Sequence, residues 1–114
     1  MSYGTRCGFE AVREVAFGSI TNAFVALGPP VGVYPRIVVF TNSTDKDIYV
    51  SLDGITNQLR IAAASFKLFD ITSDKVDNAG FFLQKGSVFY VKYVAAPGAG
   101  EFWIEVAGAT AGGV

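Results

Sequence analysis

Chemistry, if this 114-residue chain performs any, must begin with its carboxylates, because it contains no histidine and only one cysteine. The densest acidic stretch is FTNSTDKDIYVSLDGITNQ, residues 40–58, which holds Asp45, Asp47 and Asp53 among Asn, Ser and Thr. A calcium loop of the EF-hand kind needs oxygen ligands at alternate positions, a glycine at the sharp bend and a distal glutamate. Here Asp45 and Asp47 are followed by Tyr49, and no Gly or Glu falls at the required places. NSTD and DG read instead as turn chemistry, in which short polar side chains bond nearby backbone and Asp-Gly closes a hairpin. The expectation is two turns flanking one strand, with no metal site.

Glycoside hydrolysis requires two acids facing across a cleft. Asp70, Glu101 and Glu105 are the candidates by chemistry alone. Glu101 and Glu105 share the outer face of the last strand, where charges are normally solvated. Asp70 ends a strand and is placed to cap the turn after it. Without histidine no Ser–His arrangement can form. Cys7 has only Arg6 beside it to lower its pKa, so it reads as an incidental thiol. The stretches APGAG and AGATAGG lack the strand–loop–helix context and the lysine of a phosphate loop. The sequence therefore predicts a non-enzymatic protein with no catalytic, cofactor-binding or metal-binding residues and no cofactor.

Nine Lys and Arg against ten Asp and Glu give a net charge of −1, with no basic run. That balance argues against a nucleic-acid partner, whose binding rests on cations meeting phosphates. No apolar stretch reaches the ~18 residues of a membrane helix, and the N-terminal residues lack the apolar region of a signal peptide. Apolar residues make up 51% of the chain and charged residues only 17%, against ~25% charged in ordinary soluble domains. One explanation for that excess is a second apolar surface, buried against neighbouring subunits.

Gly, Pro, Asn, Asp, Ser and Thr recur too often for long helices. Between them lie short runs of Val, Ile, Phe and Tyr that suit strands. The spacing predicts strands over 12–17, 22–27, 36–42, 47–53, 58–62, 65–71, 81–84, 87–94 and 101–108. A single helical turn near 9–15 is the main alternative at the start of the chain. Residues 28–35 (GPPVGVYP) read as a loop, because proline cannot donate to a ladder. Residues 72–80 read as a polar loop. Alternation in the 47–53 strand points Ile48, Val50 and Leu52 inward and Tyr49 and Ser51 outward. In the last strand it points Phe102, Ile104 and Val106 inward. The fold class expected is all-β, a single antiparallel β-sandwich (jelly-roll or Ig-like) of about eight strands with extended termini. The domain spans 12–108, flanked by an N-terminal arm, 1–11, and a C-terminal tail, 109–114.

Tyr49, Tyr90 and Trp103 fall at outward positions where polar residues are expected. Such a set forms either a ligand-binding face or a subunit interface, since aromatics are enriched in both. No polar partners for a ligand converge there in sequence, so an interface is favoured. A carbohydrate- or receptor-binding β-sandwich module is the alternative.

The order RIVVFTNSTDKDIYVSLDG, then FKLFDITSDK, then FFLQKGSVFYVKYVAAPGAGEFWIEVAGA resembles small virion structural proteins of tailed bacteriophages. The shared pattern is a strand ending N-x-T-D, a strand ending S-x-D-G, a strand ending in Asp, a G-x-x-x-Y-V-K strand, a Pro/Gly turn and an aromatic-rich last strand. It covers roughly residues 12–108 and carries no functional residues. The resemblance implies a sandwich that forms rings or decorates the particle at the head, head–tail junction or tail. It implies as partners the chain itself and other virion proteins, with no nucleic acid and no membrane, in a virion assembled in the host cytoplasm. A reducing setting of that kind agrees with the lone cysteine.

Overall fold

The runs of β-branched and aromatic residues form strands in a computed structural model that describes residues 7–70 and 86–109. In chain order these are β1 (Cys7–Phe9), β2 (Arg13–Ala16), β3 (Val25–Ala26), β4 (Tyr34–Asn42), β5 (Ile48–Ser51), β6 (Leu59–Ile61), β7 (Ser65–Asp70), β8 (Tyr90–Tyr93) and β9 (Glu101–Ala109). The helical element among the described residues is one 3₁₀ turn, Phe17–Ser19. The expected strand over 81–84 and the polar loop over 72–80 lie outside the described residues.

The strands form two antiparallel sheets. The first runs β1-β9-β4-β7, with β2 also paired to β9, and the second runs β3-β8-β5-β6. The pairing is nested: β5 with β6, β4 with β7, β3 with β8 and β2 with β9. The chain is therefore one long ribbon doubled back at the β5–β6 turn and wound between two sheets. Further pairings of β4 with β9 and β5 with β8 join successive turns of the coil. This is the connectivity of a jelly roll, one of the two sandwich topologies expected.

Alternation buries Val38 and Phe40 of β4 and Phe102, Ile104 and Val106 of β9 against Ile48, Val50, Ile61 and Val91 of the second sheet. Phe40 meets Phe69 and Phe89 edge-on, each with ring centroids 5.7 Å apart.

Several boundaries differ from expectation for identifiable reasons. Residues 28–35 contribute Val31 and Val33 to the core, and β4 begins at Tyr34. Pro35 is tolerated because the register shifts between Pro35 and Ile37, and an irregular ladder does not need every donor. The 22–27 strand contracts to two residues and the 87–94 strand to four. Cys7–Phe9 is a strand, paired to β9 opposite Ala107–Ala109. Leu52, expected inward, is 41% exposed because β5 ends at Ser51. Ser51, expected outward, is buried because the turn after it folds back, with Asp53 and Gln58 bonding around it.

Candidate functional site

The three aspartates of the opening stretch each hold a different piece of backbone. Asp45 accepts a hydrogen bond from the Gly98 N–H at 2.8 Å, tying the β4–β5 turn to the loop before β9. Asp47 accepts from the Ala63 N–H at 2.9 Å and from Arg60 Nε at 2.8 Å. These two bonds, the backbone one foremost, hold its carboxyl below the usual range. Asp53 accepts from Ser51 Oγ and from the Ile55 and Thr56 N–H groups. That set, led by the Ser51 bond, holds its carboxyl far below the usual range. Among the described residues no three His, Cys, Asp or Glu side chains come together.

Asp70, Glu101 and Glu105 do not form a cleft pair. Asp70 lies in register with Ile37, which pairs with Ala107. Two strand spacings and two residues along β9 then separate Asp70 from Glu105 by roughly 12 Å. Glu101 and Glu105 stand four residues apart on β9, roughly 14 Å. These are backbone spacings, which side chains standing perpendicular to the sheet roughly keep, and they exceed the ~9.5 Å between carboxyl groups that serves glycoside hydrolysis. Cys7 lies in β1, opposite Ala109.

Of the expected interface aromatics, the structure brings Tyr49 and Tyr90 to one surface and puts Trp103 on the other. Tyr49 and Tyr90 stand on the outer face of the second sheet. Tyr49 pairs across β8 with Lys92 and across β6 with Arg60. Lys92 Nζ lies 4.7 Å from the Phe24 ring centroid and 5.7 Å from that of Tyr49, and Arg60 Cζ lies 5.7 Å from Tyr49 on its other side. The row Phe24–Lys92–Tyr49–Arg60 thus alternates aromatic and cation and ends on the Arg60–Asp47 ion pair at 2.8 Å. Tyr90 packs over Gly54, whose φ of +75° lets the hairpin turn tuck beneath the ring.

Trp103 belongs to a different surface, the outer face of the first sheet. One row there is Phe66–Thr41–Trp103–Glu14. The next is Leu68–Val39–Glu105, and the third Asp70–Ile37–Ala107–Phe9. Phe9 is 83% exposed, Phe66 64% and Leu68 56%. Ile37 and Val12 are exposed as well, and a shallow groove of about 320 Å³ runs between Phe9, Val12, Ile37 and Glu105. Of these residues, only Trp103 and Glu105 were legible as outward positions, from the last strand. Their gathering on one face was not, because β7 and β9 reach that face through pairings distant in sequence.

A third feature lies at the β2 end. Arg13 is buried at 5% exposure, with Nη2 donating to Glu10 Oε1 at 2.7 Å and to the Pro29 carbonyl at 3.0 Å. Glu10 Oε2 accepts from the Gly32 N–H at 2.7 Å. Nε and Nη1 of Arg13 are buried with no acceptor among the described residues.

Comparison with known proteins gives no matching family model, no matching curated protein and no matching solved structure.

Proposed function

We propose that this chain is a non-enzymatic structural subunit that assembles with copies of itself, or docks onto other virion proteins, through the apolar outer face of its first sheet. One observation carries the reading: Phe9, Val12, Ile37, Phe66 and Leu68 are all exposed on one side of the molecule, with Val39 and Trp103 between them. Large contiguous apolar surfaces of this kind mark interaction sites on soluble proteins. The setting in a phage particle rests on the resemblance of its strand and turn order to phage virion proteins. It also draws on the use of jelly rolls in viral capsids, a fold-level analogy. A carbohydrate-binding module would need a free aromatic platform. On the second sheet Tyr49 already has Lys92 and Arg60 against it.

Light scattering over a concentration series tests the proposal. The parent chain is expected to associate, and Phe66→Glu with Leu68→Lys is expected to leave a folded monomer. A parent chain that stays monomeric at high concentration, with no particle protein retaining it, would sink the reading.

A further inference from the structure

The two outer faces of the sandwich differ in charge, and the difference points to how copies meet. Among the described residues, the outer face of the first sheet carries Glu14 beside Trp103 and Glu105 between the apolar rows, neither in an ion pair. The outer face of the second sheet carries Lys92 and Arg60 on either side of Tyr49, with Arg60 already paired to Asp47 at 2.8 Å. Lys92 has aromatic rings but no carboxylate against it among the described residues.

If two first-sheet faces met about a two-fold axis, each would bring its Glu105 and Glu14 to the other. Like charges would then be pressed into an apolar contact, which disfavours that arrangement. The opposite face removes that conflict. Glu14 and Glu105 are one strand and two residues apart, roughly 8 Å, while Lys92 and Arg60 are two strands apart, roughly 10 Å. Glu14 and Glu105 beside Trp103, and Lys92 between Phe24 and Tyr49, have no ion-pair partner among the described residues, and the two faces are complementary in charge. Trp103 would stand against the Lys92–Tyr49–Arg60 row, where a further ring can engage the cations.

We infer that the partner of the first-sheet face is the second-sheet face of another copy, giving a head-to-tail contact. The inference rests on the self-assembly reading above and adds its geometry. A contact of that kind is heterologous, so it propagates into a ring where the rotation closes and into an open stack where it does not.

Charge reversal tests it by sedimentation or light scattering, with circular dichroism to establish folding. Glu105→Lys and Lys92→Glu are each expected to weaken self-association at least tenfold. The double variant, and an equimolar mixture of the two singles, are expected to recover it to within about threefold. Glu14→Lys serves as a second reversal on the first face should Glu105→Lys fail to fold. If the parent associates but Lys92→Glu changes nothing and Glu105→Lys tightens association, the head-to-tail contact is overturned while self-assembly stands. If the parent does not associate at all, both fall.

Discussion

Phe66 and Trp103 stand in one cross-strand row on the outer face of the first sheet, on either side of Thr41, while Tyr49 faces the opposite way on the second sheet. Substitutions on the two surfaces should therefore differ in what they cost the monomer. Phe66→Gln removes an exposed ring, so monomer stability should change by no more than ~0.5 kcal/mol while self-association weakens. Tyr49→Ala loses contacts to Lys92 and Arg60 and should cost the monomer about 1 kcal/mol. Thermal melts in dilute solution, read beside light scattering, check both.

Gly100 has φ +92°, and a methyl group added there would lie 2.2 Å from the Ser43 carbonyl oxygen. The close approach is built by three bonds between Ser43 and Glu101: Ser43 N–H and Oγ to the Glu101 carbonyl, and the Glu101 N–H to Ser43 Oγ. Gly100→Ala should therefore destabilise by at least ~2 kcal/mol. The control is Gly18→Ala, since nothing lies within 4 Å of a methyl there. Denaturant titration of the two variants should separate them clearly.

The contrast between these glycines marks what the sequence could disclose. Period-two alternation assigned Ile48, Val50, Phe102, Ile104 and Val106 to the core, because inward and outward positions differ in residue type. The Asp53-Gly54 turn was legible because its side-chain chemistry is local. Alternation tells the two sides of a strand apart but does not say which sheet the strand joins, so Trp103 and Tyr49 could not be separated. Cys7–Phe9 was hidden because Gly8 breaks any pattern and the strand is held by its pairing with β9. Pro35 misled for the opposite reason, since a local rule was overridden by a bulge.

Asp53 predicts a pH signature. Its folded-state carboxyl lies far below the ~3.9 of an unfolded aspartate. The stability it contributes is therefore fully present above about pH 5 and is lost as pH falls below ~4 towards the folded value. Asp53→Asn should be less stable at pH 7, and the gap to the parent should narrow on acidification. Asp47, also lowered, keeps part of the slope in the variant. Urea unfolding at pH 7, 4 and 2.5 measures it; a gap that widens towards acid would refute the assignment.

Asn42 is 1% exposed and joins three segments. Its Nδ2 donates to the carbonyls of Lys46 and Ile61 at 2.8 and 3.0 Å, and its Oδ1 accepts from the Thr44 N–H at 2.9 Å. Asn42→Leu would strand these groups in a dry site, where each costs ~1–3 kcal/mol. A loss of about 3 kcal/mol or more is expected by denaturant titration. Asn42→Asp should not rescue it, because a carboxylate cannot donate to the two carbonyls.

Arg13 and Glu10 offer a prediction whose two arms differ in size. The guanidinium is buried against Phe89, its carbon 5.7 Å from the ring centroid, with Nε and Nη1 lacking acceptors among the described residues. Desolvating a charge whose donors are only half used costs about as much as its ion pair returns. Arg13→Met keeps the length of the side chain and should leave stability within about 1 kcal/mol of the parent, even with the bonds to Glu10 and Pro29 lost. Glu10→Ala instead leaves the buried cation uncompensated and frees the Gly32 N–H that Glu10 accepts. It should cost ~3 kcal/mol or more. The double variant should then sit near Arg13→Met, because the stranded charge is gone. Equilibrium unfolding of all four chains closes this cycle. An Arg13→Met variant as damaged as Glu10→Ala would show that the arginine's bonds, and not its burial, dominate.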